Sequence, residues 1–431
     1  MNTLQAIIGM LFLIGVAYAA STNRKAINWR TVGAGLLIQS ALFILITYVP
    51  AVNQVFNAVG TGFAKVLSFA SEGATFVFGD LARPAKMGFI FAFVVLPVII
   101  FFSALTALLY HLGILQRVVA GLAWFMKRTM RLSGPESLTV AGNIFLGQTE
   151  APLLIRPYIK HMTKSELACV MVAGMSTLAG GVLAAYVSFL GGDNPAEQAR
   201  FATLLLTASF MNAPAAVVFA KIMFPETDYD HESGDKREVE EAEDSTFISA
   251  IVGGALDGTK MASAIATILI AIVSLIALFN FLVMDGIGAA LGVNEMIKAS
   301  TGGIFDGLTL QYLFGQVFRV FAFMMGVSWA ESLQVGSLIG QKIVLNEFIA
   351  YLDLAKLKEA GTLSPQAILI STFALSSFSN FGSIGISVAG IGALAPTKQK
   401  TLAEIGLRAL LAAVMAGFMT ATIAGLWMSI F

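Results

Sequence analysis

The sequence is short of charge. Of 431 residues, 26 are Lys or Arg and 26 are Asp or Glu, so only 12% of the chain is charged and the net charge is zero. Soluble globular chains carry about 25% charged residues. With 57% hydrophobic residues and a mean hydropathy of +0.82, the chain reads as a polytopic membrane protein. Zero net charge leaves no electrostatic footprint for a nucleic-acid partner. The single cysteine, Cys169, excludes a disulfide framework within the chain and any multi-cysteine metal site. The three histidines, His111, His161 and His231, are far apart and lack ligand spacing. There is no Walker A sequence, which argues against ATP-driven pumping by this chain. Basic residues are absent from the first five positions. An apolar run and the small-residue AYA follow, but Arg24 and Lys25 come only after them. That polarity is wrong for a cleavable leader and predicts a retained first helix with its N-terminus outside.

What the chain does have is apolar runs long enough to cross a hydrocarbon core of about 30 Å, which takes about 20 helical residues. They predict eight spans, at 4–20, 31–50, 88–111, 165–190, 200–222, 260–284, 364–393 and 404–430. Segment 54–80 holds Lys65, Glu72, Asp80 and several Phe, and reads as an interfacial helix. Arg24, Lys25 and Arg30 follow span one, Lys127, Arg128 and Arg131 follow span three, and Lys398, Lys400 and Arg408 lie between spans seven and eight. An eight-span count puts these loops on one side and the acid-leaning GGDNPAEQAR loop on the other. The positive-inside rule then places both termini outside. The acidic stretch 225–245 reads as a solvated cytoplasmic loop.

Two segments are too short or too polar to span. In 135–162 the apolar run from Leu138 to Leu146 covers half a bilayer; Gly147 breaks it and Pro152 restarts it. A half-helix in, a polar tip and a half-helix out make a re-entrant hairpin, tolerated at depth when buried in protein or lining a wet cavity. The segment 330–360 repeats this pattern. ESLTVAGNIFLGQTEAP begins at Glu136 and ESLQVGSLIGQKIVLNEFI at Glu331, and each reaches an embedded glutamate, Glu150 or Glu347. From Ser165 and Ser364 the two copies continue without gaps. An odd number of spans separates the hairpins, so they enter from opposite faces. The expected fold is therefore all-α, with eight transmembrane helices and two re-entrant hairpins of opposite orientation in an inverted-topology repeat. Its parts are N-terminal scaffold helices with the interfacial helix (1–85), a first repeat (86–224), an acidic cytoplasmic loop (225–259) and a second repeat (260–431).

Polar clusters fall at matching places in the two copies: Asn143 with Gln148, Thr149 and Glu150; Ser176 and Thr177; Asn346 and Glu347; Ser376, Ser377, Ser379, Asn380 and Ser383. A carboxylate at membrane depth is costly unless paired or hydrated. Glu150 has a bland alternative, an ion pair with Arg156 that holds the hairpin shut. Ser176, Ser377 and Ser379 taken singly read as packing glue between helices. Gln148, Glu150, Glu347 and Asn380 together read as a ligand site, with Phe378 as an apolar wall. Gln and Thr offer donors and acceptors in one plane, a carboxylate accepts from hydroxyls, and no cluster of embedded Arg or Lys awaits a phosphate. This set suits a neutral, polar, partly flat molecule. An intramembrane enzyme using Glu150 and Glu347 as an acid/base pair and a passive channel are the alternatives; no nucleophile–His pairing supports the former.

GQTEAP at 147–152 and GQKIVLNEFIAY at 340–351 resemble the two signatures of the concentrative nucleoside transporters, in their short bacterial form. The resemblance covers essentially the whole chain. It implies a secondary active transporter of the bacterial inner membrane that imports nucleosides by cation symport with elevator-like alternating access. The nucleobase would be bound by Gln148, Thr149, Glu150 and Val182, and the ribose by Glu347, Asn380 and Ser383 beside Phe378. A sodium site would draw on the Asn143 side chain, the Leu146 carbonyl, Thr177 and the Leu178 carbonyl. Thr177 stands where the family pattern has serine, but keeps the hydroxyl oxygen a hard cation needs. Sodium is thus the expected coupling ion, with proton coupling as the alternative and no other cofactor. The resemblance also implies a homotrimer in contact with membrane lipid.

Overall fold

The computed structural model describes residues 3–228 and 246–430, and among them every regular element is helical. Helix α1 (Thr3–Ala19) is followed by α2 (Trp29–Tyr48), whose N-terminus is capped by the Asn28 side chain. Helix α3 (Pro50–Phe78) runs through the segment expected at an interface and buries Gly60, Ala64, Leu67, Ala70 and Ala74. These residues, all small but Leu67, recur every three or four positions, one stripe of a helix. Then come α4 (Leu96–His111), α5 (Ile114–Met130), the short α6 (Gly134–Gly142), and α7 (Lys164–Ser176) and α8 (Gly180–Gly191), separated by a break at 177–179. Helix α9 (Pro195–Met223) is followed by α10 (Phe247–Asn280) and α11 (Leu310–Met324). Finally α12 (Ser332–Val344) and α13 (Glu347–Glu359) form a hairpin, α14 (Pro365–Leu375) and α15 (Phe381–Leu394) are halves of a broken helix, and α16 (Gln399–Ile430) closes the chain.

Six helical stretches are long and apolar enough to cross a membrane: 29–48, 91–111, 164–191, 195–223, 247–288 and 396–430. Helices α1, α14 and α15 are shorter and apolar, and they occupy the other two apolar runs. Several details differ from the sequence reading. Residues 247–259, read as part of a loop, belong to α10, while 229–245 lie outside the described residues. Two amphipathic helices, α5 and α11, were not anticipated. The return arm of the first hairpin is not a half-helix. It consists of two 3₁₀ turns, Ala151–Ile155 and Ile159–His161. Pro152 and Pro157 each remove a backbone donor within six residues, which favours short 3₁₀ pieces over a continuous helix.

Helix α9 is the central post, buried from Thr207 to Met223 apart from Phe210, and the two hairpins approach it from opposite ends. The base of the first is tied to its C-terminal end: Glu136 pairs with Lys221, Ser165 Oγ donates to Phe224 O at 2.7 Å, and Thr163 Oγ1 donates to Glu226 at 2.6 Å. The base of the second lies at its N-terminal end, where Lys358 pairs with Glu197 at 2.9 Å. Capping explains why each half-helix starts where it does. Ser133 with Glu136, and Thr163 with Glu166, form reciprocal capping boxes at α6 and α7.

Candidate functional site

The tip of the first hairpin is pinned to the break between α7 and α8. Gly180 N–H donates to Phe145 O at 3.2 Å. Gly174 permits the approach, because a Cβ there would lie 2.9 Å from Gln148 Cβ. Gln148 is thereby aimed at α15. Its Nε2 lies 3.4 Å from Ser383 Oγ, and Ser387 Oγ donates to its Oε1 at 3.2 Å. Ser383 and Ser387 are one turn apart on the same face. Thr149 sits a turn further along, against Gly390, where a Cβ would meet Thr149 Cγ2 at 3.0 Å.

The tip of the second hairpin brings Glu347 to the same region. Asn346 caps α13 by accepting from Ile349 N–H at 3.1 Å, so Glu347 occupies the first turn. Asn380 does two jobs at the start of α15: its Oδ1 accepts from Ser383 N–H at 2.9 Å, and its Nδ2 donates to Glu347 Oε2 at 2.8 Å. The other carboxylate oxygen accepts from Tyr186 OH on α8 at 3.1 Å. Tyr186 stacks on Tyr351 with ring centroids 4.2 Å apart, and Tyr351 OH donates to Thr372 O at 2.7 Å. Gln148, Ser383, Asn380, Glu347 and Tyr186 thus form one polar chain that joins the tip of the first hairpin and α8 to the second hairpin and α15. Val182, one turn before Tyr186, is buried, and Phe378 is half-buried.

Glu150 does not join this chain. Its Oε2 accepts from Gly147 N–H at 3.0 Å, and it lines a cleft of about 380 Å³ with Thr106, Tyr110 and Asp257. No residue of α15 borders that cleft. Nor does Glu150 pair with Arg156, which is exposed; among the described residues no ion pair joins the two.

Neutral oxygens lie on the two segments, 143–146 and 176–178, that flank the Gly180–Phe145 bond at the break. Among the described residues neither amide atom of the fully buried Asn143 has a partner, and the Ser176 hydroxyl is also unpaired. Thr177 Oγ1 donates to Ala173 O at 3.0 Å, leaving its lone pairs free to accept. Leu146 and Leu178 are buried beside them. Orphaned buried amides are rare, and an all-oxygen, uncharged set fits a hard monovalent cation.

Four functional neighbours escaped the sequence reading. Ser387 was legible as the residue one turn beyond Ser383. Tyr186 was hidden inside an apolar run. Ser209 and Asn212 on α9 reach across both repeats: Ser209 Oγ donates to Ile144 O at 2.9 Å, and Asn212 Nδ2 to Ser376 O at 2.7 Å. Two polar side chains three apart beside Pro214, in the apolar middle of the helix, were the available signal.

Comparison with known proteins decides the family. The model described as the C-terminus of Na⁺-dependent nucleoside transporters matches residues 204–425, the corresponding N-terminal model matches 8–81, and a nucleoside recognition model matches 92–193. The chain belongs to the concentrative nucleoside transporter family. Among its relatives are an uncharacterized transporter of Haemophilus influenzae (42% identical, covering 100% of this chain and 99% of the relative) and the nucleoside permease NupC of Helicobacter pylori (36% identical, 100% and 99%). The human sodium/nucleoside cotransporter 1 is 37% identical over 97% of this chain and 63% of its own length. The fold matches CNTnw in an inward-facing substrate-bound state (TM-score 0.86, 39% identity, 99% of both chains). It also matches a doubly substituted CNTnw in an outward-facing state (TM-score 0.87, 37% identity, 100% of this chain and 98% of the other). The family consists of transporters, so the intramembrane-enzyme reading is set aside and this member is a membrane transporter.

Proposed function

We propose that this transporter imports nucleosides across the bacterial cytoplasmic membrane by symport with sodium. The observation that carries the reading is the polar chain from Gln148 to Tyr186, which places an amide edge, two serine hydroxyls and a carboxylate around the junction of two inverted repeats. Gln148 and Thr149 face the nucleobase, with Val182 beneath it. Glu347, Asn380 and Ser383 receive the ribose hydroxyls, and Phe378 walls the site. Glu150 contributes to the base from the cleft side of the tip. Sodium enters as a co-substrate held by Asn143, Thr177 and the Leu146 and Leu178 carbonyls. Because Phe145 O is bonded to Gly180 N–H at the same break, a cation there stiffens the tip that presents Gln148.

Transport follows an elevator scheme: the two hairpins and two broken helices move as one block past the remaining helices, which act as a frame. Solved states of CNTnw facing inward and outward support a mechanism with at least two such positions. The loops carrying Arg24, Lys127 and Lys398 lie at the first hairpin's end of the molecule, where Thr31 Oγ1 donates to Met130 O and Lys398 Nζ to Met162 O. The positive-inside rule turns that end to the cytoplasm and both termini outside. A homotrimer is the expected assembly, with α3 in the scaffold.

The test is uptake of radiolabelled uridine into proteoliposomes with an inward sodium gradient, and with choline replacing sodium. Accumulation above equilibrium only in sodium is expected. Equal uptake in choline would refute sodium coupling in favour of protons, and uptake that stops at equilibrium would make the protein a passive channel.

A further inference from the structure

The two repeats fill equivalent junctions in different ways. Helices α7 and α14 both end in the middle of the protein, and the last turn of each presents carbonyls without helical partners and a partial negative charge. At the end of α7 no charged side chain intervenes among the described residues, and the buried amide of Asn143 is left unpaired by them. At the end of α14 a fully buried lysine, Lys342, arrives from the second hairpin. Its ammonium donates to Ala374 O at 2.9 Å and to Ser377 Oγ at 2.7 Å, and Ser377 is in turn 3.0 Å from Ser379 Oγ. Aligning Ser165 with Ser364 sets Ala374 opposite Met175 and Ser377 opposite Leu178, so the ammonium sits at the second repeat's version of the proposed sodium junction. Lys342 forms no ion pair with a carboxylate among the described residues. A buried charge without a contacting counter-ion is costly; here the helix end compensates it, with Glu347 attracting it from further off.

We propose that Lys342 is a tethered cation: its ammonium fills the junction that a free cation fills in the first repeat, and it thereby positions the ribose-binding groups. Lys342 precedes Glu347 by five residues on the hairpin, and Ser377 precedes Asn380 by three on the broken helix. The clamp fastens together the two segments whose side chains meet at Glu347 and Asn380. Lys342 is a positioning residue and makes no substrate contact itself. Its substrate readout rests on the nucleoside symport reading above.

The test compares wild type with Lys342→Met, Lys342→Arg and Lys342→Ala, purified in detergent and titrated with uridine in saturating sodium, with sodium activation of uptake measured in proteoliposomes. Lys342→Met keeps length and loses charge; it should stay monodisperse and bind uridine at least ~10-fold more weakly, while Lys342→Arg stays within about threefold of wild type. Lys342→Ala opens space for a free cation, so its sodium activation should steepen, the Hill coefficient rising from about 1 towards 2. Wild-type affinity in Lys342→Met, or an unchanged Hill coefficient in Lys342→Ala, overturns the proposal. If Lys342→Met yields no folded protein, a folded Lys342→Arg supports the cation and an equally unfolded one overturns it. A wild-type protein that binds no uridine sinks the symport reading instead; the thermal stabilities of Lys342→Met and Lys342→Arg then decide the role of the charge by themselves.

Discussion

Replacing Glu347 with glutamine is the sharpest probe of the site, because the structure dictates which bonds survive. Both carboxylate oxygens face donors, Asn380 Nδ2 at 2.8 Å and Tyr186 OH at 3.1 Å. Asn380 cannot turn its oxygen towards a new amide, because that oxygen caps α15 through Ser383 N–H. Tyr186 can reverse its role, since a phenol both donates and accepts. The glutamine oxygen therefore keeps Asn380 and its amide group turns to Tyr186, so neither protein bond is lost outright. What is lost is charge assistance, about 1 kcal/mol for each of the two bonds, because bonds to charged groups contribute ~1.5–3 kcal/mol against ~1 for neutral ones. A ribose hydroxyl donating to the same group loses a similar amount. The two protein bonds are already made without ligand, so their weakening lowers stability; only the ribose bond, about 1–2 kcal/mol, enters the affinity, which predicts uridine binding weakened roughly 5- to 30-fold. Glu347→Ala should weaken binding further, since it removes the ribose acceptor altogether, and it also lowers stability by leaving the Asn380 amide and the Tyr186 hydroxyl buried without an acceptor, at about 1–3 kcal/mol each. Calorimetric titration of the purified protein in sodium reads these affinities, with thermal unfolding to confirm that the variants are folded. Affinity within about threefold of wild type in Glu347→Gln, or a milder effect of Ala than of Gln, would refute the assignment of Glu347 to the ribose.

Asn143→Ala should raise the sodium concentration for half-maximal uptake at least ~10-fold, with much of the maximal rate recovered at high sodium, because it removes one oxygen from the proposed cation set; an unchanged sodium dependence moves the site elsewhere. Lys221→Met should lower stability by about 3–5 kcal/mol, since it strands the fully buried Glu136, and Lys221→Met combined with Glu136→Leu should restore much of the loss. Thermal unfolding in detergent measures both, and a double variant no better than the single one would show that the pair is not what holds the base of the first hairpin.

Much of the architecture was legible because membranes impose simple arithmetic. A run such as 200–222 must be helical at that depth, and α9 is. The run from Leu138 to Leu146 is too short to cross, and the chain does turn back there, through the turn at 143–150. Glu347 was recognisable from its motif, and Asn380 and Ser383 from the family resemblance in span seven; the structure bonds the Asn380 side chain to Glu347 and to the Ser383 backbone. The return arm of the first hairpin was misjudged because two prolines were read as one restart. Helices α5 and α11 were missed because amphipathic helices at an interface lack the long apolar run that marks a span.

By itself, then, the sequence determined what hydropathy and local chemistry can carry: an all-helical membrane fold, the apolar helices, the two segments too short or too polar to span, and the polar clusters within them. Tertiary structure decided which way those tips turn. Gln148 and Glu150 are two residues apart, yet one bonds to α15 and the other folds back on Gly147 beside a separate cleft. Tyr186, Ser209 and Asn212 matter only because distant helices deliver their partners. Lys342 lies inside a recognised motif, but the helix end that compensates its charge is more than thirty residues away in sequence. The physical reason is the same in each case: a short polar contact fixes two side chains to a few tenths of an ångström, and only the packing of whole helices supplies that registration.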